Sequence, residues 1–263
     1  MTERALGNAA SGMLAMQTYT ETVSNNIANM KTTGYKEKKA LFGTMISHDM
    51  SRSGSLSSSS GTVIPTGIQI GLGVKTMGVT TIQKQGSAIQ TENPYHISIQ
   101  GNGFFQIELP SGDIAYTRDG TFEKNADGAL VTQDGFTVMP GINIPQDAIW
   151  VKINSNGEVF AKMPGNIEPQ NLGEIELVSF ANPSGLESIE SNLLLETPAS
   201  GAPLAGQAGV EGFGKILQGF YEGSNVNSVV AITDLIEAQR GFELNSKAAK
   251  ATDEMLAQLK NIA

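Results

Sequence analysis

The amino-terminal segment of the chain places apolar residues at alternating intervals of three and four, which is the repeat of one face of an α-helix. This stripe consists of Leu6, Ala9, Met13, Met16, Thr20, Val23, Ile27 and Met30, with Thr20 as its polar member. The pattern predicts a helix from about Glu3 to Met30 that ends near Thr33-Gly34, because Gly accepts the left-handed conformation of a helix C-cap. Gly7 and Gly12 each weaken this helix by up to ~1 kcal/mol relative to Ala, so its stability depends on packing.

The carboxyl-terminal segment repeats this spacing. Its stripe consists of Leu235, Ala238, Phe242, Asn245, Ala249, Thr252, Leu256 and Leu259. Asn227 or Ser228 is suited to cap the start of the helix, and a buried Asn245 would fix the register of a coiled coil at a cost in stability. The periodicity leaves two interpretations open, a coiled-coil seam or an amphipathic helix on a globular core, because heptad and 3.6-residue repeats are hard to separate over this length.

Short apolar stretches and turn residues alternate from about Ile68 to Leu195. The apolar residues Ile97, Ile99, Phe105 and Ile107 sit at alternate positions around Gly101-Asn102-Gly103. Four dipeptides are typical of hairpin turns, namely Asp119-Gly120, Asp127-Gly128, Asp134-Gly135 and Asn156-Gly157. This spacing predicts an antiparallel sheet, sandwich or barrel. Trp150 is predicted to lie in its core, and the run from Thr197 to Gly214 to form an extended return path.

A Ser-rich stretch from Ser51 to Gly61 interrupts the patterned sequence. Its composition predicts a flexible loop or linker. The apolar residues that flank it, in Ala40-Leu41-Phe42 and Ile64-Pro65, are suited to anchor it to folded structure.

Composition narrows the class of protein. The 263 residues contain no Cys, which excludes disulfides, zinc–thiolate sites and a catalytic thiol. The formal charge of −9 disfavours nucleic acid as a partner. The start of the chain, Met1 to Leu6, lacks the apolar core of a cleaved secretory signal, and no apolar run reaches the ~18 residues of a membrane span. We therefore expect a chain that is soluble when made and does not insert into membranes. If it leaves the cytoplasm, we expect a route that reads no Sec-type signal.

The candidate chemistry is sparse. His48 and His96 lie far from any cluster with metal-ligand spacing. The stretch from Gly209 to Ile216 approaches a phosphate-binding loop, but Ile216 stands where Ser or Thr must reach the metal ion. Ser–His–Asp and paired-carboxylate sites are assembled in three dimensions and cannot be proposed from spacing. We therefore predict no catalytic, cofactor-binding or metal-binding residues, and no enzyme.

Several motifs in order along nearly the whole chain resemble the flagellar rod and hook family. They are Ser24-Asn25-Asn26-Ile27-Ala28-Asn29, Thr33-Gly34-Tyr35-Lys36, Gly101-Asn102-Gly103-Phe104-Phe105, Tyr116-Thr117-Arg118-Asp119-Gly120-Thr121-Phe122, Gln218-Gly219 with Glu222, Ser224-Asn225-Val226-Asn227, Ala238-Gln239-Arg240 and Asn245-Ser246-Lys247. Tyr35 stands where the family usually has Phe, and Phe242 stands where it usually has Tyr. Gly241 stands where Ala is common.

The resemblance implies a structural subunit of the bacterial flagellar basal body. The length and the extra segment from Phe42 to Pro65 fit the distal rod members, which implies that this segment stiffens the polymer. Copies would form a helical tube that transmits torque from motor to hook, with the terminal helices as its core and the β region as its outer shell. The implied partners are other copies of the chain, proximal rod and hook proteins, surrounding ring proteins and the flagellar type III export apparatus. The implied location is the rod where it crosses the periplasm.

Together these observations predict an α+β fold, with N- and C-terminal helices paired as a coiled-coil-like domain and an inserted, mainly antiparallel β domain. The expected boundaries are 1–36 plus 224–263 for the helical domain and 76–196 for the β domain. A linking region of 37–75 plus 197–223, with the rod-type segment 42–65, completes the chain.

Candidate assembly residues come from the two stripes and the Asn-rich motifs. They are Leu6, Met13, Ser24, Asn25, Asn26, Ile27, Asn29, Ser224, Asn225, Val226, Asn227, Leu235, Gln239, Arg240, Phe242, Asn245 and Leu256. Asn side chains donate and accept hydrogen bonds at once, so they can bridge adjacent helices. A local helix-end cap is the alternative for the first Asn-rich motif, and we favour contacts between subunits.

Two other functions stay open at this point. A proximal rod or hook protein would share the same motifs. A secreted β-rich binding module or carbohydrate-active enzyme with helical dimerisation ends would need a pocket with convergent carboxylates or aromatic residues. The chain has one Trp and only 6% aromatic residues, which disfavours a site that binds sugars by aromatic stacking.

Overall fold

The computed structural model describes residues 2–51, 66–165 and 167–262. It divides into a helical unit (Met1–Ala28, Lys38–Thr80 and Asn227–Ala263) and a β-rich unit (Asn29–Glu37 and Thr81–Val226). The predicted α+β class, with helices at both ends and an antiparallel β region, is confirmed. The Ser-rich segment lies outside the described residues except for Ser51, so the prediction made for it stays a prediction.

Two long helices dominate the helical unit. Helix α1 spans Thr2–Ala28, and helix α2 spans Ser228–Ile262. The strands of this unit are β1 (Lys38–Thr44), β2 (Ser47–Ser51), β3 (Ile68–Gly71) and β4 (Val74–Thr81). β1 pairs with β4, and β2 pairs antiparallel with β3, so the described part of the segment 42–65 is largely β structure. Among the described residues, neither helix offers a stretch of the length and hydrophobicity that a membrane span requires.

Helix α1 ends earlier than its apolar stripe predicts. The last helical residue is Ala28, and a turn follows in which Thr32 donates its backbone N–H to the carbonyl of Asn29 at 3.1 Å. Gly34 has the expected left-handed φ of 67°, but not as the helix C-cap. A Cβ at Gly34 would lie 2.7 Å from the backbone nitrogen of Asp119, so this Gly permits a close approach of two loops. The predicted helix end near Thr33-Gly34 is therefore wrong.

The described residues of the β-rich unit form sixteen short strands. They are β5 (Ala88–Gln90), β6 (Ile97–Gln100), β7 (Phe105–Glu108), β8 (Ile114–Thr117), β9 (Glu123–Lys124), β10 (Leu130–Val131), β11 (Thr137–Val138), β12 (Trp150–Ile153), β13 (Glu158–Lys162), β14 (Gln170–Glu174), β15 (Glu176–Ser179), β16 (Glu187–Ser188), β17 (Leu193–Leu195), β18 (Leu204–Gln207), β19 (Lys215–Gln218) and β20 (Phe220–Glu222). Short 3₁₀ turns at Pro183–Gly185 and Glu190–Asn192 precede β16 and β17.

The largest sheet has seven strands in the order β16-β17-β8-β7-β11-β10-β9. A second sheet has the order β12-β13-β14, and three antiparallel pairs, β15 with β18, β19 with β6 and β20 with β5, complete the unit. The stretch predicted as a return path, Thr197 to Gly214, thus contains a paired strand. The first strands of the β-rich unit, β5 and β6, pair with its last strands, β20 and β19, so non-local contacts close the unit.

Three of the four predicted hairpin turns are confirmed. Asp127-Gly128 joins β9 to β10, Asp134-Gly135 joins β10 to β11, and Asn156-Gly157 joins β12 to β13. Asp119-Gly120 is not a hairpin turn, because β8 pairs with β7 and β17 instead of with β9. A Cβ at Gly120 would fall 1.5 Å from the carbonyl oxygen of Ile97, so the position requires Gly for close packing.

The two units differ in what they bury. All of the largest fully buried side chains among the described residues lie in the β-rich unit, including Phe105, Phe122, Ile97, Ile107, Leu177 and Ile216. Among the described side chains of the helical unit, the buried apolar residues are small: Ala9, Ala15, Val23, Ala40, Ala231 and Ala238. The β-rich unit therefore has a complete core, and the helical unit has a thin one.

Trp150 does not lie in the core, contrary to its prediction. It is exposed, as is Ile149, whereas Val151 and Ile153 are buried. Successive side chains of a strand point to opposite faces, and the alternation along β12 gives the inward face to Val151 and Ile153.

Candidate assembly site

The helical pair is the first part of the candidate site. α1 and α2 contact each other extensively. Gly12 lies against Asn245, and Met16 lies against Gly241. Because the first number rises by four as the second falls by four, the two helices run antiparallel. Each of these two contacts includes one residue of the predicted stripes, Asn245 or Met16. Three further stripe residues, Ala9, Val23 and Ala238, are buried.

Two glycines allow the helices to approach closely. A Cβ at Gly12 would lie 2.7 Å from Oδ1 of Asn245, and one at Gly241 would lie 2.7 Å from the sulfur of Met16. Asn245 donates its Nδ2–H to the carbonyl of Gly241 at 2.9 Å, which holds its side chain over the gap at Gly12. Gly12 therefore leaves space for the side chain of Asn245, and Gly241 leaves space for that of Met16. Both glycines also weaken their own helices.

The predicted assembly residues are distributed over both units and differ in exposure. Asn26 is buried. The half-buried members are Leu6, Met13, Ile27, Asn29, Ser224, Asn225, Val226, Leu235, Asn245 and Leu256. The exposed members are Ser24, Asn25, Asn227, Gln239, Arg240 and Phe242. Several members of all three groups form hydrogen bonds within the subunit, among them Asn26, Asn225 and Asn227.

Asn26 holds the strand that follows α1. Its Nδ2 donates to the carbonyl of Lys38 at 2.7 Å, and its Oδ1 accepts from the backbone N–H of the same residue at 2.9 Å. The amide side chain therefore satisfies both backbone groups of one residue at the start of β1, as a neighbouring strand would. Asn26 is 4% exposed, so loss of these two hydrogen bonds would leave buried polar groups without partners.

Asn225 has an equivalent role within the β-rich unit. Its Oδ1 accepts from the backbone N–H of Glu37 at 2.7 Å, and its Nδ2 donates to the carbonyls of Ile82 and Lys84, both at 2.9 Å. Three segments that are distant in sequence thus meet at one amide side chain.

Of the two residues that the sequence offers as a cap, Asn227 and Ser228, Asn227 caps α2. Its Oδ1 accepts from the backbone N–H groups of Val229 and Val230 at 3.0 and 3.4 Å. These N–H groups belong to the first turn of the helix, where no intrahelical acceptor exists. Ser224 plays a similar local role by accepting from the N–H of Val226 at 3.3 Å.

A buried charged triad lies in the β-rich unit. Lys36 Nζ contacts Glu222 Oε1 at 2.5 Å, and Arg118 Nη1 contacts Glu222 Oε2 at 3.3 Å. All three residues are less than 9% exposed. Glu222 also accepts from the backbone N–H of Gly86 at 2.8 Å. One carboxylate therefore joins the segment after α1, the strand β8 region and the end of β20.

The cations of the triad have further partners. Lys36 donates to the carbonyl of Lys84 at 3.0 Å, and Arg118 donates to the carbonyl of Gly101 at 2.7 Å. The Arg118 guanidinium also lies 5.3 Å from the centre of the Phe104 ring, within cation–π range. Burial lowers the pKa of Lys36 and of Arg118, and the carboxylate of Glu222 opposes that shift in both.

Tyr35 precedes the triad in the same segment. Its side chain is buried, and burial, together with the negative charge of Glu37, raises the pKa of Tyr35 to about 12. The phenol is therefore neutral over the whole physiological range.

A cavity of about 200 Å³ in the β-rich unit is lined mainly by hydroxyl groups. Two carboxylates, Asp119 and Asp134, also line it. Asp119 accepts from the hydroxyl of Thr33 at 2.7 Å and from the N–H and hydroxyl of Thr121 at 3.0 and 2.8 Å. Asp119 thus organises its own loop. Among the described residues, no group of His, Asp or Glu side chains is arranged to hold a metal ion.

The triad was not predicted as a site. Each member belongs to a motif noted in the sequence, but no local pattern indicates that Lys36 and Glu222, 186 residues apart, share a hydrogen bond. Buried Lys and Arg are rare unless paired, yet burial itself is a property of the tertiary structure.

Three family models match the chain. The flagella basal body rod protein model covers residues 6–36, the flagellar hook protein FlgE/F/G D1 domain covers residues 98–161, and the flagellar basal body rod FlgEFG protein C-terminal model covers residues 217–262. Each matched range contains one member of the triad.

Curated relatives match over nearly the full length. The chain is 48% identical over 253 residues to the flagellar basal-body rod protein FlgG of Caulobacter vibrioides, which covers 96% of this chain and 97% of that protein. It is 41% identical over 261 residues to FlgG of Borreliella burgdorferi, with 98% of each chain covered. A more distant relative is the flagellar hook-basal body complex protein FlhP of Bacillus subtilis, 27% identical over 272 residues, with 98% of this chain and 99% of that protein covered.

Proposed function

This chain belongs to the FlgG family of flagellar basal-body rod proteins, and we propose that its copies assemble through their terminal helices into the tube of the distal rod. The tube transmits torque from the motor to the hook. The subunit is structural, so its function requires shape and stiffness and no bound cofactor or metal ion.

One observation carries this proposal. The helical unit buries mainly Ala and Val, whereas larger apolar side chains on its helices, including Leu14, Val229, Ile236 and Leu244, are exposed. Fully burying a Val, Leu or Ile side chain stabilises a structure by roughly 1.5–3 kcal/mol, so a helical pair that exposes several of them gains most from contact with other copies. Head-to-tail contacts that do not close on themselves generate helical filaments.

A coiled-coil-like pairing of α1 and α2 is the finer form of this proposal. The contacts of Gly12 with Asn245 and of Met16 with Gly241 support it, because they recur at an interval of four residues on each helix. In this arrangement Asn245 fixes the register, as polar residues do in coiled-coil seams.

The candidate assembly residues divide into two roles. The exposed residues Ser24, Asn25, Gln239, Arg240 and Phe242 contact neighbouring subunits. Asn26, Asn225 and Asn227 shape the subunit, since their side chains bond to backbone groups of the same chain.

The partners follow from the position of a distal rod. They are proximal rod proteins on one side, hook proteins on the other, ring proteins around it and the flagellar export apparatus during delivery. We place the protein in the basal body, where the rod crosses the periplasm.

Electron microscopy of the purified chain tests the proposal most directly. Above a critical concentration we expect tubes whose inner wall is made of α-helices, and in isolated basal bodies we expect a tagged copy in the distal part of the rod. A chain that stays monomeric at every concentration, or a tag found in another part of the basal body, would contradict it.

Deletion of residues 42–65 separates rod from hook. If this segment stiffens the distal rod, tubes of the deletion variant bend more than native tubes. Unchanged stiffness would remove the support for a rod-specific role of the segment and favour a hook-type member of the same family.

A further inference from the structure

Helix α2 has apolar residues on two opposite sides. Ala231 and Ala238 are buried. Val229 and Ile236 precede them by two positions, about 200° around the helix, and both are exposed. Ile232 and Leu244 extend this exposed row, which we term the outer stripe (Val229, Ile232, Ile236 and Leu244). The outer stripe lies on the side of α2 that faces away from α1.

The corresponding side of α1 carries two small residues followed by Leu14. Gly7, Ala10 and Leu14 are exposed and recur at intervals of three and four, so they share one side of the helix. We term them, with Glu21 further along the same side, the smooth face. A Cβ at Gly7 would meet nothing within 4 Å, so the surface there is open.

We propose that the outer stripe of α2 docks on the smooth face of α1 in a second copy of this chain. The inference rests on the proposed function and names the surfaces that would carry it. Large side chains on one helix meet Gly and Ala on the other, which lets the two backbones approach closely, as Gly12 and Gly241 do inside the subunit.

The occupant is a second copy for two reasons. Within one chain the outer stripe and the smooth face lie on the outward sides of helices that already contact each other through their inner sides, so they cannot meet. In addition, Arg240 lies between Ile236 and Leu244 on the outer stripe. The acidic residue Glu21 lies at the edge of the smooth face, where it also borders a groove lined by Gln239, Phe242 and Glu243 of α2. Opposite charges in register orient an interface of this kind.

This contact would propagate. Each copy presents one outer stripe and one smooth face, which are different surfaces, so every copy docks on one neighbour and receives another. Such a heterologous contact builds a filament without any additional component.

Disulfide cross-linking tests the contact, since the native chain has no Cys. Copies with Leu14→Cys are mixed with copies carrying Ile236→Cys and oxidised under conditions in which the native chain forms tubes. We expect disulfide-linked dimers, because each pair of thiols must come from two copies. The matched control is Val230→Cys in place of Ile236→Cys, since Val230 is 51% exposed and lies off the outer stripe.

A pair of neighbouring substitutions provides a second measurement. Val229→Asp on the outer stripe and Val230→Asp beside it introduce the same charge in the first turn of α2. We expect Val229→Asp to raise the critical concentration of tube formation by ~10-fold or more, because a buried apolar contact is lost, and Val230→Asp to change it little. Exchange of charges in the double variant Glu21→Arg with Arg240→Glu should restore assembly that each single variant weakens.

The outcomes separate the inference from the function. Tubes that form without cross-linking above the Val230→Cys control would overturn the docking contact and leave the rod function standing. Absence of tubes from the native chain would overturn both. Equal effects of Val229→Asp and Val230→Asp would also reject the outer stripe.

Discussion

The β-rich unit and the helical unit differ in the size of the apolar side chains that they bury. The β-rich unit has its own core of Ile, Leu, Val and Phe, and its strands pair across more than a hundred residues of sequence. The helical unit buries small residues and exposes large ones. The β-rich unit therefore buries its large apolar side chains on folding, whereas the helical unit leaves several of them exposed.

The two units also differ in where their charged and amide side chains lie. In the β-rich unit, buried charges are matched within the chain by the triad of Lys36, Arg118 and Glu222. In the helical unit, the exposed charges and amides of α2 remain at the surface. Stability of the monomer should depend on the first unit, and assembly on the second.

The largest expected effect comes from the triad. Glu222→Gln removes the carboxylate and leaves two buried cations uncompensated, which should lower the free energy of unfolding by ~3–5 kcal/mol. Chemical denaturation of the monomer measures this. Glu176→Gln, an exposed position in the same unit, is the control and should stay within about 0.5 kcal/mol of the native chain. Equal effects would show that the triad is not a structural requirement.

Two Phe residues test the comparison directly. Phe105→Ala empties a fully buried site in the β-rich unit and should destabilise the monomer by about 3–5 kcal/mol. Phe242→Ala on the exposed surface of α2 should leave monomer stability within about 0.5 kcal/mol but raise the critical concentration of assembly several-fold. If both variants affect the monomer equally, the helical unit is finished without its neighbours and the comparison fails.

Two Gly residues of α1 differ in whether they contact α2, and their substitutions test how closely the two helices pack. Gly7→Ala adds a methyl group in open space and should stabilise the helix by up to ~1 kcal/mol. Gly12→Ala places its methyl group against Asn245, where overpacking of about 1–3 kcal/mol outweighs that gain. Thermal melting followed by circular dichroism compares them. Asn245→Ala should relieve the Gly12→Ala variant, and failure of this rescue would argue against the antiparallel register.

The smallest expected effect is a dependence on alkaline pH. The pKa of Tyr35 is raised from 10.0 to about 12, so between these values the unfolded state releases a proton that the folded state keeps. The contribution of Tyr35 to stability is therefore present below pH 10, and it is lost as pH rises through about 12. Tyr35→Phe should flatten the decline of the unfolding free energy over this range. A decline that is identical in native and variant chains would assign it to other groups.

Local pattern predicted much of the fold and part of the site. The helices, three hairpin turns and the Asn227 cap depend on residues close together in sequence, which propensity and periodicity describe well. The predicted end of α1 is wrong because the apolar stripe continues through Ile27 and Met30, whereas the helix ends at Ala28 and a turn begins at Asn29. Trp150 was misplaced because apolar neighbours indicate a strand but not which of its faces is covered.

The amino-acid sequence by itself determined the periodic ends, the turn-rich β region and the family to which the chain belongs, since these depend on residue order and short spacings. Only the tertiary structure decided that Lys36, Arg118 and Glu222 meet, that Gly12 receives Asn245, and that α2 exposes a second apolar side. The physical reason is that burial and pairing arise from contacts between segments far apart in the chain, and no local spacing specifies which distant residue will provide the partner.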